Sequence, residues 1–232
     1  MKLAALLAAG ALALAVGGPG TARVTEDPCL ETGETPVQLT ASDGASVYGV
    51  ESGTGTTGVV LGHMYLSDHC EWTDFTHRLV AAGFRVLAID FRGYGDSRGG
   101  AASRLDRDIA AAVARLRKDG ATRVELVGAS MGGAAVLVAA SWIRQAVDGV
   151  VSLSGPAAYR GLDALRAVRR SHVPVRFVVG TLDPPFAADA VRLMKAAAAR
   201  DKAILRLLVG SHGSSLLRQP RASAFVLRFL GR

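Results

Sequence analysis

The chain alternates between two kinds of segment, and that alternation restricts its fold more than any other feature. Short, continuous apolar runs occur at 58–63 (GVVLGH), 84–90 (FRVLAID), 123–128 (RVELVG), 149–155 (GVVSLSG), 175–180 (VRFVVG) and 203–210 (AILRLLVG). Runs of this length without polar alternation suit strands buried on both faces, as in a parallel sheet. Helical segments are expected between them, at 72–82, 103–119, 131–142, 186–200 and 214–230. Within 103–119, Leu105, Ile109, Val113 and Leu116 recur at helical spacing, Ser103 is placed to cap, and Gly120 to end the helix. A hairpin precedes the first unit: Val37–Thr40, a Ser-Asp-Gly turn, then Val47–Glu51. The sum is an α/β fold with a mostly parallel sheet of about eight strands and helices on both faces.

Composition removes several classes of function. The 232 residues are 50% hydrophobic and 20% charged, enough apolar material for one well-packed domain. The formal net charge of +7 comes from 23 Arg and four Lys against 20 acids, but the Arg residues are interspersed with acids and no basic run is longer than a pair such as Arg169–Arg170. A nucleic-acid binder would carry a basic stripe or a known module, so no nucleic-acid partner is expected. No Cys/His group has zinc spacing, and no Gly-rich loop ends in a phosphate-binding Lys, so neither metal nor cofactor is called for.

Residues 1–22 read as a signal peptide. Lys2 gives a positive start, Leu3–Val16 is an apolar stretch too short to span a bilayer, and Gly20 and Ala22 supply small residues before the cleavage point. The expectation is a secreted, extracytoplasmic protein without a stable membrane span after signal removal, folded as a single domain over 23–232. In an oxidising compartment the two cysteines, Cys29 and Cys70, are expected to pair.

Chemistry concentrates where strands end. Gly128-Ala129-Ser130-Met131-Gly132 matches G-x-S-x-G at the junction of a strand and an Ala-rich helix. A serine on so tight a turn is pushed out of the sheet, and the helix N-terminus beside it favours the negative charge of acyl transfer. Such a nucleophile needs a base and the base an orienting acid. His212, in VGSHGSS after the last strand, is the base candidate, and Asp183, in VVGTLDPP after the strand before it, is the acid. Ligands of open α/β sheets bind beyond the carboxyl ends of the strands, where all three fall.

In these residues the sequence resembles the α/β-hydrolase family across essentially the whole mature chain: the elbow GASMGG, the acid turn GTLD, the histidine loop GSHG and the segment DFRGYGDS. The resemblance implies catalytic Ser130, Asp183 and His212, with an oxyanion hole from the Met131 N–H and a second donor in the loop after the third strand. By position that donor is Tyr65, with Met64 as fallback, because His63-Met64-Tyr65 stands where the family has His-Gly-x. Asp90 and Arg92 of DFRGYGDS are read as parts of a structural turn. Only about twenty residues separate Gly155 from Val175, so little or no cap domain fits, and His63, Tyr159 and Phe186 are the candidates to line the substrate pocket beside Tyr65.

The resulting expectation is a serine hydrolase acting on a small-molecule carboxylic ester or thioester. A small serine peptidase or amidase would use the same groups, and a non-catalytic binding protein on the same fold is the third reading. The oligomeric state is left open.

Overall fold

The computed structural model describes residues 27–143 and 147–232; the segment read as a signal peptide lies outside them. All eight expected strands form: β1 Thr35–Thr40, β2 Ser46–Ser52, β3 Thr57–Gly62, β4 Arg85–Ile89, β5 Arg123–Ala129, β6 Gly149–Leu153, β7 Val175–Gly180 and β8 Lys202–Leu207. They make one sheet in the order β1-β2-β4-β3-β5-β6-β7-β8. β1 and β2 pair antiparallel, as do β2 and β4, and every later pairing is parallel.

Period-two alternation sends successive strand residues to opposite faces. Val60, Val124, Leu126, Val150 and Phe177 pack under helices α2 (Leu105–Lys118), α3 (Met131–Ala140), α4 (Ala164–Val168) and α5 (Phe186–Ala196). Val59, Leu61, Val127, Val151 and Val178 pack against α1 (Thr73–Ala81) and α6 (Pro220–Leu230), through Trp72, Phe75, Leu79, Val226 and Phe229. Helix α3 is apolar on every side because it is enclosed by the sheet and its helical neighbours.

Several boundaries differ from the sequence reading. Ser103 does not cap α2: it lies inside a 3-10 turn, Ala102–Arg104, and the position before α2 is Arg104 with no side-chain cap. The segment 214–230 divides into a 3-10 stretch, Gly213–Arg218, and α6, because Pro220 at the helix start holds the preceding residue in an extended conformation. The alanines after α5 leave the helix at Ala197. Ala197 and Ala199 are buried and the Ala198 N–H bonds to the Val168 carbonyl, so tertiary burial overrides their helix propensity.

Two devices tie the amino-terminal segment to the body. Cys29 and Cys70 form a disulfide, as expected. Beside it His69 is buried between Asp27 and Asp90, at 3.1 and 2.8 Å. Asp90 also accepts the His69 and Asp96 N–H groups, and Arg92 is buried against Asp108 and Asp43. DFRGYGDS is therefore a braced turn under the site. Between β6 and β7 only a tight turn and the short α4 intervene, so no cap domain is inserted there among the described residues.

Candidate active site

Ser130 sits between β5 and α3 with φ +48° and ψ −113°, a conformation that costs a non-glycine residue about 1–3 kcal/mol. The surroundings enforce it. A Cβ on Gly128 would lie 2.2 Å from the Gly132 carbonyl oxygen, and one on Gly132 would lie 2.2 Å from that of Gly62. Both glycines are thus required by close backbone approach, and the turn they permit lifts Ser130 out of the sheet. The Ser130 N–H is fixed to the Leu153 carbonyl at 2.8 Å. Met131 follows as the first residue of α3, where an N–H has no acceptor within the helix.

Asp183 follows β7 and His212 follows β8. The His212 Nδ1–H donates to Asp183 Oδ2 at 2.8 Å, which leaves Nε2 available to accept a proton. Phe186, the first residue of α5, packs against the imidazole with ring centroids 4.3 Å apart. Ser130 and His212 face one open cavity of about 640 Å³, whose wall also includes Met64, Tyr65, Tyr159 and Phe186. No hydrogen bond closes between Ser130 and His212 among the described residues. Such bonds are often long in unliganded enzymes and tighten around substrate.

One contributor escapes sequence reading. Ser154 directly follows β6 with φ +49°, is fully buried, and donates its Oγ–H to the same Asp183 Oδ2 at 2.8 Å. Asp183 is therefore oriented by two donors on one oxygen, Ser154 and His212. In the sequence it is one more small residue in an apolar run; its only signal is position, at the end of the strand next to the elbow.

The loop after β3 corrects one expectation. His63 does not line the cavity. It is wholly buried, its Nδ1–H donates to the Met64 carbonyl at 2.7 Å, and its Nε2 accepts the Phe91 N–H at 2.9 Å. Burial holds its pKa below the ordinary value, in keeping with a neutral imidazole that serves as a backbone bracket. The Met64 N–H is also engaged, donating to the Glu71 carboxylate at 3.2 and 3.3 Å. Of the two second-donor candidates, Met64 therefore has its N–H directed away from a substrate, whereas Tyr65 stands 47% exposed at the cavity wall.

The group of described residues with metal-ligand spacing is already engaged. Asp27, His69 and Cys70 bring their ligating atoms within 4.8 Å of one another, but the Cys70 sulfur is spent in the disulfide and both His69 nitrogens face carboxylates. No described helix is long and apolar enough to cross a membrane.

Comparison with known proteins agrees with this architecture. Residues 57–171 match the family described as serine aminopeptidase, S33. No curated protein sequence matches the chain. Among solved structures, an esterase from Pyrococcus furiosus superimposes with a TM-score of 0.74 at 17% identity, covering 85% of this chain and 91% of that one. An esterase from Exiguobacterium antarcticum gives 0.71 at 14% identity, covering 85% and 100%. A monoacylglycerol lipase from Paleococcus ferrophilus gives 0.65 at 18% identity, covering 80% and 97%. With its eight-stranded, mostly parallel sheet and its serine elbow after β5, the chain has the α/β-hydrolase fold.

Proposed function

We propose that the protein is an exported serine hydrolase that cleaves carboxylic esters through an acyl-enzyme on Ser130. The observation that carries the proposal is the Asp183–His212 hydrogen bond beside a cavity shared by His212 and Ser130. In the first half-reaction His212 Nε2 takes the Ser130 proton as Oγ attacks the ester carbonyl. The Asp183 carboxylate holds the imidazole in the required tautomer and stabilises its cationic form. The Met131 and Tyr65 N–H groups receive the developing oxyanion, where loss of one donor typically costs on the order of 100-fold or more in rate. His212 then protonates the departing alkoxide, and water repeats the sequence on the acyl-enzyme. Thioesters fit the same steps. The disulfide supports export, since such bonds persist in oxidising compartments.

A second reading, an aminopeptidase, draws on the description of the matching profile. A free amino terminus calls for a carboxylate near the scissile bond, and among the described residues no acid lines the cavity. That favours the ester. Hydrolysis of nitrophenyl esters from acetate to laurate, beside aminoacyl nitroanilides, separates the two. Ester turnover lost in Ser130→Ala supports the proposal, and turnover confined to the anilides replaces it with the peptidase. An inert protein whose Ser130 takes no fluorophosphonate label would be a binding protein on this fold.

A further inference from the structure

The turn after β6 carries a cation to the mouth of the cavity. Tyr159 and Leu162 exchange both backbone hydrogen bonds, at 2.9 and 2.7 Å, which leaves Arg160 and Gly161 as the two central residues. Their φ angles are +41° and +92°, the pattern of a type I′ turn. Asn-Gly is the favoured filling of such a turn, and a long side chain at its first position is held against a backbone preference. Strain of this kind, where a less strained residue would serve, is concentrated at functional sites.

The exposed side chain rests against two aromatic rings. The Arg160 guanidinium carbon lies 5.5 Å from the Tyr65 ring centroid and 5.6 Å from that of Tyr159. These cation–π contacts keep the planar fork at the cavity wall without neutralising it. Arg92, Arg123 and Arg176 each meet a carboxylate within 3.0 Å, whereas among the described residues no carboxylate pairs with Arg160. Arg160 is also the one permanently charged side chain in that wall, among the described residues.

A guanidinium held by aromatic rings, lacking an internal counter-ion and facing the same cavity as Ser130, is arranged to receive an anion from the substrate. We infer that Arg160 is a specificity-determining residue that selects esters bearing a second, anionic group, a carboxylate or a phosphate, at a distance from the scissile bond. The inference rests on the serine-hydrolase reading and narrows its substrate class. The anion would form a forked, charge-assisted pair with Arg160, and the neutral remainder of the substrate would lie along Tyr65, Tyr159 and Phe186.

The test uses methyl monoesters of dicarboxylic acids, from succinate to suberate, against methyl esters of monocarboxylic acids of matched length. Acid release reports turnover. Wild type is expected to favour the anionic member at its best chain length by roughly tenfold or more in kcat/KM at low salt. The preference should shrink as salt is raised. Arg160→Gln should collapse the ratio toward one, Arg160→Lys should restore part of it, and Arg160→Glu should invert it. A ratio near one in wild type, or a ratio unchanged in Arg160→Gln, would overturn the inference while leaving ester hydrolysis standing. Calorimetric binding of adipate reads the same anion site without catalysis. If no ester is turned over, adipate binding that Arg160→Gln abolishes keeps the anion site and rejects only the hydrolase reading. Absence of adipate binding in that case would reject both.

Discussion

Glu71 offers the sharpest physical test of the loop that supports the candidate oxyanion site. It lies in the 3-10 turn His69–Trp72, beside a cavity of about 180 Å³ shared with Met64, Phe75, Arg78 and Ser214. Its carboxylate accepts the Met64 N–H, but burial outweighs that bond and pushes its pKa from the ordinary 4.5 up to about 7. The folded protein therefore keeps a proton on Glu71 over a range in which the unfolded chain has released it. This stabilisation is complete below about pH 4.5 and is lost as pH rises through about 7.

The perturbation that isolates it is Glu71→Gln, which keeps a carbonyl oxygen for the Met64 N–H and never ionises. A pKa difference of this size corresponds to about 3 kcal/mol in all, of which about 2.5 kcal/mol falls between pH 5 and 8. The stability of Glu71→Gln minus that of wild type should thus move in favour of the variant by about 2.5 kcal/mol across that interval. Glu125, also pushed up to about 7 by burial, gives both proteins the same slope and cancels in the difference. Urea denaturation of both proteins at pH 5 and pH 8, with the disulfide intact, measures the quantity. A difference constant to within about 0.5 kcal/mol, or one that moves toward wild type, would refute the assignment of a buried, proton-holding Glu71.

Two other substitutions probe the surrounding structure. Ser154→Ala removes a hydrogen bond to the Asp183 carboxylate and should lower kcat/KM for nitrophenyl esters about tenfold. Substrate KM should barely change, and an unchanged kcat would mean that Ser154 does not orient the acid. Paired Cys29→Ser and Cys70→Ser replacement opens a link between residues 41 apart, which should cost roughly 4 kcal/mol of stability. Equal denaturation midpoints with and without the bond would show that the amino-terminal segment is secured by Asp27 and His69 alone.

The readable part of this chain and the unreadable part differ in a physical way. The strands announced themselves because burial on both faces leaves unbroken apolar runs, and Ser130 did so because its turn demands Gly128 and Gly132 at fixed spacing. Asp183 and His212 were legible from being placed just past the ends of β7 and β8. His63 stands in an equally suggestive loop, yet its role is set by Phe91, a residue 28 positions away that presents an N–H to its ring. Ser154 is a similar case, 29 positions from Asp183. In each, the residue type permits several roles and a distant partner selects one.

Arg160 shows where that boundary can be pushed back. A turn tight enough to need positive φ at both central positions, as at Arg160 and Gly161, ordinarily selects a small polar residue at the first. An arginine there breaks a local preference, and local rules are broken where a site demands it. What sequence could not supply was the pairing of the rings, since Tyr65 lies 95 positions upstream of Arg160. The strained turn marks the residue, and only the cavity it shares with Ser130 converts the mark into a statement about substrate charge.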